Sequence, residues 1–132
     1  MKMTLFNRST KNHHKSRTAI DAGEATIRIV REDSHVNVAV AGRVTVDSSP
    51  FLRSALFELL RRGTNRLVVI DVSAVSYLDI SGVATLLEAL KMAREGSVVL
   101  RLTGVKGQAR MLAEVMGLDE IFRSSGSEVE LQ

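Results

Sequence analysis

The sequence holds no cysteine and no tryptophan, a single proline, and only one tyrosine and four phenylalanines among its 132 residues. Without cysteine there is no disulfide and no thiolate metal site, which fits a reducing compartment; the chain is read as cytoplasmic. No apolar run approaches the roughly 18 residues of a membrane span, so no transmembrane segment is expected. The N-terminus lacks the apolar stretch of a secretory signal. Acidic residues are missing from positions 1–20, which carry Lys2, Arg8, Lys11, Lys15 and Arg17. The net charge of +3 thus divides into +5 on this segment and −2 on the remainder. The basic character belongs to a tail and not to a nucleic-acid-binding domain, and no direct nucleic-acid partner is expected.

Length allows one domain with a single modest core. Residues 1–20 are polar and aperiodic and read as a solvated, disordered extension; the domain is placed at 21–132. His13 and His14 are adjacent imidazoles with no carboxylate beside them, which is a poor metal site. From Ala25, Ile27 and Ile29 alternate with Arg28 and Val30, and after Glu32-Asp33-Ser34 the valines 36, 38 and 40 alternate with His35, Asn37 and Ala39. This is an antiparallel hairpin, with His35 at the surface. Asp47-Ser48-Ser49-Pro50 starts a helix, with a capping oxygen at Ser49 and proline at the first helical position. It runs to about Arg62 and ends at Gly63, with Phe57 off its buried face beside Arg53 and Arg61.

The centre of the chain is Leu67 to Leu90. A β-favouring run over 66–72 gives way to a turn at Asp79–Gly82 and then to helical spacing from about Ser81 to Glu95, closed by Gly96. On a helical wheel Val83, Leu86, Leu87, Leu90 and Ala93 gather on one side. Ser81, Thr85, Glu88 and Met92 lie opposite, spaced i, i+4, i+7 and i+11, and are expected to form an exposed docking strip. A strand at 98–102 follows, then a helix over 108–116, a stop at Gly117-Leu118, an apolar turn with Ile121 and Phe122, and a short strand near 129–131. The order β-β-α-β-α-β-α contains strand–helix–strand crossovers, which make neighbouring strands parallel. The expected fold is α/β: a mixed sheet of four or five strands with helices packed against it.

No catalytic set assembles from these residues. A serine nucleophile needs a base in reach, and His35 is the only histidine beyond position 20. Ser81 lies in neither GxSxG nor SxxK. Gly104 and Gly107 lack the GK[ST] ending of a phosphate-binding loop. Asp71 and Asp79 could bind a cation together, but both fit turn and capping roles. The reading is of a non-enzyme without cofactor or metal, in which Ser81 is either a helix cap or a regulated hydroxyl. A phosphate there would be tolerated by a helix start and would place like charge beside Asp79 and Glu88 in any interface over that face. Gly82 leaves room for approach to the serine and for close packing of the helix start.

The run VVIDVSAVSYLDISGVATLLEAL resembles the STAS domain, shared by bacterial anti-sigma factor antagonists and the cytoplasmic tails of sulfate transporters. The likeness extends from about Ala25 to Phe122. It takes in the turn Gly42-Arg43-Val44-Thr45-Val46-Asp47, the strand ending in Asp71-Val72-Ser73, the Asp-x-Ser-Gly turn and the late Gly117-Leu118…Ile121-Phe122. It implies a single STAS-like domain with Ser81 as the serine that an anti-sigma factor serine kinase phosphorylates and Asp79 as the acidic residue before it. The implied partners are that kinase and a phosphatase; the implied partner-binding residues are Asp79, Ser81, Gly82, Thr85, Glu88 and Met92. Two positions depart from the common pattern: Ile80 replaces a serine or threonine, and Arg43 an acidic residue. The resemblance leaves an alternative open, a non-phosphorylated STAS subunit of a stress-signalling or phospholipid-transport assembly.

Overall fold

The computed structural model describes residues 2–7, 16–33, 35–61 and 65–131. His13, His14, Arg62 and Gly63 lie outside them. Among the described residues one sheet holds seven strands in sequence order: β1 (Lys2–Asn7), β2 (Ser16–Asp21), β3 (Ala25–Arg31), β4 (His35–Val44), β5 (Leu67–Leu78), β6 (Val99–Val105) and β7 (Glu128–Leu131). The sheet is mixed: β1 to β4 pair antiparallel, and β4 to β7 pair parallel. The parallel half follows from its crossovers, which pass through α1 (Ser49–Leu60), α2 (Ile80–Glu95), α3 (Gly107–Met116) and α4 (Leu118–Ser124).

Seven strands exceed the four or five expected, partly because two described stretches of the N-terminal segment join the sheet. Ser16–Asp21 pairs with β3, Lys2–Asn7 pairs with β2, and Ile20 is buried. The boundary expected at residue 21 therefore falls at the end of a strand. The signal was short: in β2 only Ile20 reaches the core, too little for a period to show.

Burial alternates along β3, and Ile27, Ile29, Val36, Val38, Val40, Val68, Ile70, Leu100 and Leu102 all point to one face. Leu52, Leu56, Leu59, Val83, Leu86, Leu90, Leu118 and Phe122 cover them, giving one core. Burying a leucine or isoleucine contributes about 1.5–3 kcal/mol each, so this layer supplies most of the drive to fold. The opposite face carries Thr26, Arg28 and Ala39, which are exposed, and Asn37, Asp71, Arg101 and Thr103, which are half-buried. Gly117 ends α3 in the left-handed region at φ 67°, donating its N–H to the helix carbonyls, and α4 begins at the next residue.

Candidate functional site

Strands β4 and β5 run parallel and end together, Val44 beside Leu78. Helices α1 and α2 leave from this same end, the usual location of binding sites in open α/β sheets. Asp79 ties the two departures together. Its backbone N–H donates to Val44 O (3.1 Å). Its Oδ1 accepts the Gly82 N–H (3.1 Å), capping α2, and its Oδ2 accepts the Val46 N–H (3.2 Å). Asp79 is the N-cap residue of α2, and Ser81 is its second helical residue.

The β4–α1 loop is held from within. Ser48 Oγ donates to Arg43 O (2.6 Å) and accepts the Thr45 N–H (2.9 Å), and the Asp47 N–H donates to Thr45 Oγ1 (3.2 Å). Thr45 also bonds Glu24. The expected cap at Ser49 is corrected: α1 starts at Ser49 with Ser48 in the cap position, and the Ser48 hydroxyl turns back to β4. Arg43 lies over the Tyr77 ring, 4.6 Å from its centre, with its Nε 3.6 Å from a Glu24 oxygen. A cation–π contact and an ion pair thus occupy this side chain at the edge of the site.

Ser81 is half-buried, and among the described residues its hydroxyl has no hydrogen-bond partner. Gly82 is buried because the helix start presses on β4 and β5: a Cβ there would lie 2.4 Å from Leu78 Cδ1 and 3.0 Å from Val44 Cγ1. Of its two expected roles, close packing is the one this contact demonstrates.

The docking strip is where the structure departs most from the sequence reading. Thr85 is 7% exposed and donates its Oγ1 to Ser81 O (3.0 Å). Glu88 bonds Arg53 of α1, and Met92 is half-buried against the core. The reason is that α2 buries two sides, one on the sheet and one on α1, and the wheel allowed for only the first. The exposed positions on α2 are Ile80, Ala84, Lys91, Arg94 and Glu95, with Leu87 half-buried between them. Of the six residues expected to bind a partner, Asp79, Ser81 and Glu88 keep partial exposure, Met92 is half-buried against the core, and Gly82 and Thr85 are buried. Glu88, through its hydrogen bond and then its charge, raises the pKa of Arg53 above the ordinary arginine value, so the guanidinium keeps its charge.

Two residues that the sequence reading did not count among the partner contacts complete the surface: Val46, 66% exposed, and Ile80, 60% exposed, from the two segments that Asp79 joins. Nothing in the wheel marks Ile80 as exposed: it stands three residues before Val83 and seven before Leu87, on the apolar side. Asp71, by contrast, is remote. It accepts the Ser73 N–H (2.9 Å) in a depression on the open sheet face lined by Thr26 and Arg28. Roughly 25 Å of strand separates it from Asp79, so the two carboxylates share no cation site.

Comparison with known proteins fixes the family. The family model described as "Mlab, STAS domain" matches residues 27–124. The chain belongs to the STAS domain family. An anti-sigma-B factor antagonist of Listeria monocytogenes is 29% identical over 101 residues, spanning 76% of this chain and 88% of that protein. The crystal structure of an anti-sigma factor antagonist from Mycobacterium paratuberculosis superposes with TM-score 0.68 at 22% identity, covering 78% of this chain and 87% of the other. SpoIIAA, an anti-sigma factor antagonist in its unphosphorylated form, superposes with TM-score 0.57 at 13% identity, covering 72% and 96%. At these identities the two structures establish the α/β STAS fold and nothing finer. Among the described residues no helix is long and apolar enough to cross a membrane.

Proposed function

We propose that this chain is an anti-sigma factor antagonist, a non-catalytic switch that docks a serine-kinase anti-sigma factor through the start of α2 and releases it when Ser81 is phosphorylated. The observation that carries this reading is the division of labour at the helix start. Asp79 caps α2, so the Ser81 hydroxyl is not needed for the fold and stands partly exposed without a partner. A hydroxyl so placed can accept a phosphoryl group, with loss of its own proton, without uncapping the helix.

The surroundings make the added charge consequential. Val46 and Ile80 are exposed apolar side chains on the two segments that meet at Asp79, and a partner covering them would exclude water from the neighbouring serine. Phosphorylation brings about −1.5 to −2 charges into that dry contact, next to the Asp79 carboxylate. Like-charge contact and desolvation of this kind cost several kcal/mol, a hundredfold or more in affinity. The kinase would act on Ser81, and a phosphatase would restore the binding form.

A second reading is favoured by one feature: Val46 and Ile80 offer an apolar contact that needs no hydroxyl at all. In that reading the chain is a STAS subunit of a stress-signalling or phospholipid-transport assembly, docked through the same end of α2 and never phosphorylated. Affinity capture with mass spectrometry identifies the partner and any phosphate on Ser81. Titration of that partner against unmodified, Ser81-phosphorylated and Ser81→Ala protein then separates the two. The switch requires tight binding by the first and third and roughly hundredfold or more weaker binding by the second. Equal affinity for all three supports the scaffold.

A further inference from the structure

Past Asp71, β5 parts from β6. Their pairing runs from Leu67 beside Val99 only as far as Asp71 beside Thr103. At Gly104, φ is +73°, and a Cβ there would lie 2.7 Å from Ser73 Cβ, so this close crossing admits only glycine as the strands diverge. At Leu78, therefore, β4 covers one edge of β5 through Val44, and β6 is no longer paired on the other. That second edge is closed by a side chain. Gln108, at the start of α3, donates its Nε2 to Leu78 O (2.7 Å) and accepts the Leu78 N–H at Oε1 (2.8 Å). A primary amide carries the donor and acceptor of a peptide group, so Gln108 stands in for one residue of the missing strand.

We infer that Gln108 is a positioning residue for the Ser81 turn, clamping the last residue of β5 so that the Asp79 cap and the start of α2 hold one geometry. Two links connect the clamp to the serine. Leu78 precedes Asp79, whose N–H and carboxylate fix Val44, Val46 and Gly82. The Leu78 side chain lies directly under Gly82. If Leu78 shifts, both the cap and the helix floor shift with it. The functional meaning of the clamp rests on the reading of Ser81 as the docking serine; the clamp itself can be tested on the free protein.

The test is residue-resolved amide hydrogen exchange on the full chain and on Gln108→Ala and Gln108→Glu. The glutamate variant keeps the shape and an acceptor for the Leu78 N–H but opposes the Leu78 carbonyl with a second acceptor. Loss of a hydrogen bond of ordinary net strength corresponds to about tenfold faster exchange. That acceleration is expected at Leu78 in Gln108→Ala, with a several-fold rise at Gly82 and Val46 and none at Ile70 or Leu100. Gln108→Glu should loosen Gly82 and Val46 in the same pattern, and serves alone if the alanine variant does not fold. Uniform acceleration that includes Ile70 would make Gln108 a general stability residue and overturn the proposal, as would unchanged exchange at Gly82 and Val46. Because no partner is present, failure of the switch reading in the titration above leaves this result standing.

Discussion

Replacing Asp79 and Ser81 one at a time asks which side chain builds the site and which is left free to work. In Asp79→Ala two hydrogen bonds disappear. Loss of the cap on Gly82 N–H costs about 0.5–2 kcal/mol, and loss of the bond to the Val46 N–H, at an exposed position, costs about 0.5–1 kcal/mol. The sum is about 1–3 kcal/mol, or roughly 3–12 °C in melting temperature for a domain of this size. Ser81→Ala removes a hydroxyl with no recorded partner among the described residues, and alanine is the better helix former by a few tenths of a kcal/mol. Its expected change is within about 0.5 kcal/mol of zero.

Asp79→Asn sharpens the comparison. Asparagine caps about as well as aspartate, but its amide nitrogen cannot accept from a second N–H. It should therefore fall between the other two, near 1 kcal/mol. The assay is urea unfolding of the full-length protein and the three variants, followed by circular dichroism, with midpoints and slopes fitted together. If Ser81→Ala proves as destabilising as Asp79→Ala, the serine is a structural cap after all and the argument for a free phosphate acceptor collapses.

Thr85→Arg and Met92→Lys should each lower the melting temperature by several degrees, because both positions lie against the core or the α1–α2 seam; unchanged melting would restore the exposed strip. Ile80→Glu and Val46→Asp should leave melting within about 0.5 kcal/mol of the parent while weakening the captured partner at least tenfold, measured by calorimetric titration. Gly82→Ala should cost about 1–3 kcal/mol, since its methyl must displace the Leu78 side chain, and thermal unfolding reads this directly. A chain starting at Ala22 should lose about 2 kcal/mol or more relative to one starting at Ser16, because it gives up β2 pairing and the burial of Ile20; equal unfolding midpoints would return residues 16–21 to a dispensable tail.

The parts of the fold legible in the sequence are those where one face alone is buried. The valines at 36, 38 and 40 stand at the period of a strand with one wet side, and they do line the core. The proline of Ser49-Pro50 and the glycine of Gly117-Leu118 mark ends that local chemistry sets, and both helix ends fall within a residue of them. Strand β5 was read too short, ending at Asp71-Val72-Ser73, whereas it runs on to Leu78. Through this stretch β5 keeps β4 at its side but has left β6, and a strand so exposed takes polar residues without ceasing to be a strand.

The site was legible at Asp79, Ser81 and Gly82, where the helix start itself demands a cap, a short side chain and a bare backbone. It was misread one turn later, and the error has a simple geometry. A helix lying on a sheet alone leaves about half its circumference to solvent, and any polar residue opposite the apolar stripe then belongs to the surface. Once α1 lies alongside, a second side closes. Thr85 survives burial by bonding the carbonyl four residues back, and Glu88 survives at the seam by meeting Arg53. Both residues look solvated in sequence because their partners are a backbone carbonyl and a residue 35 positions earlier. What remains open on α2 is the narrow wedge that starts beside Val46 at Ile80 and Ser81 and runs through Ala84 and Lys91 to Arg94 and Glu95. A phosphate on Ser81 would sit at the end of that wedge where Val46 and Ile80 are exposed, so it would act on the apolar contact there and not on the length of the helix.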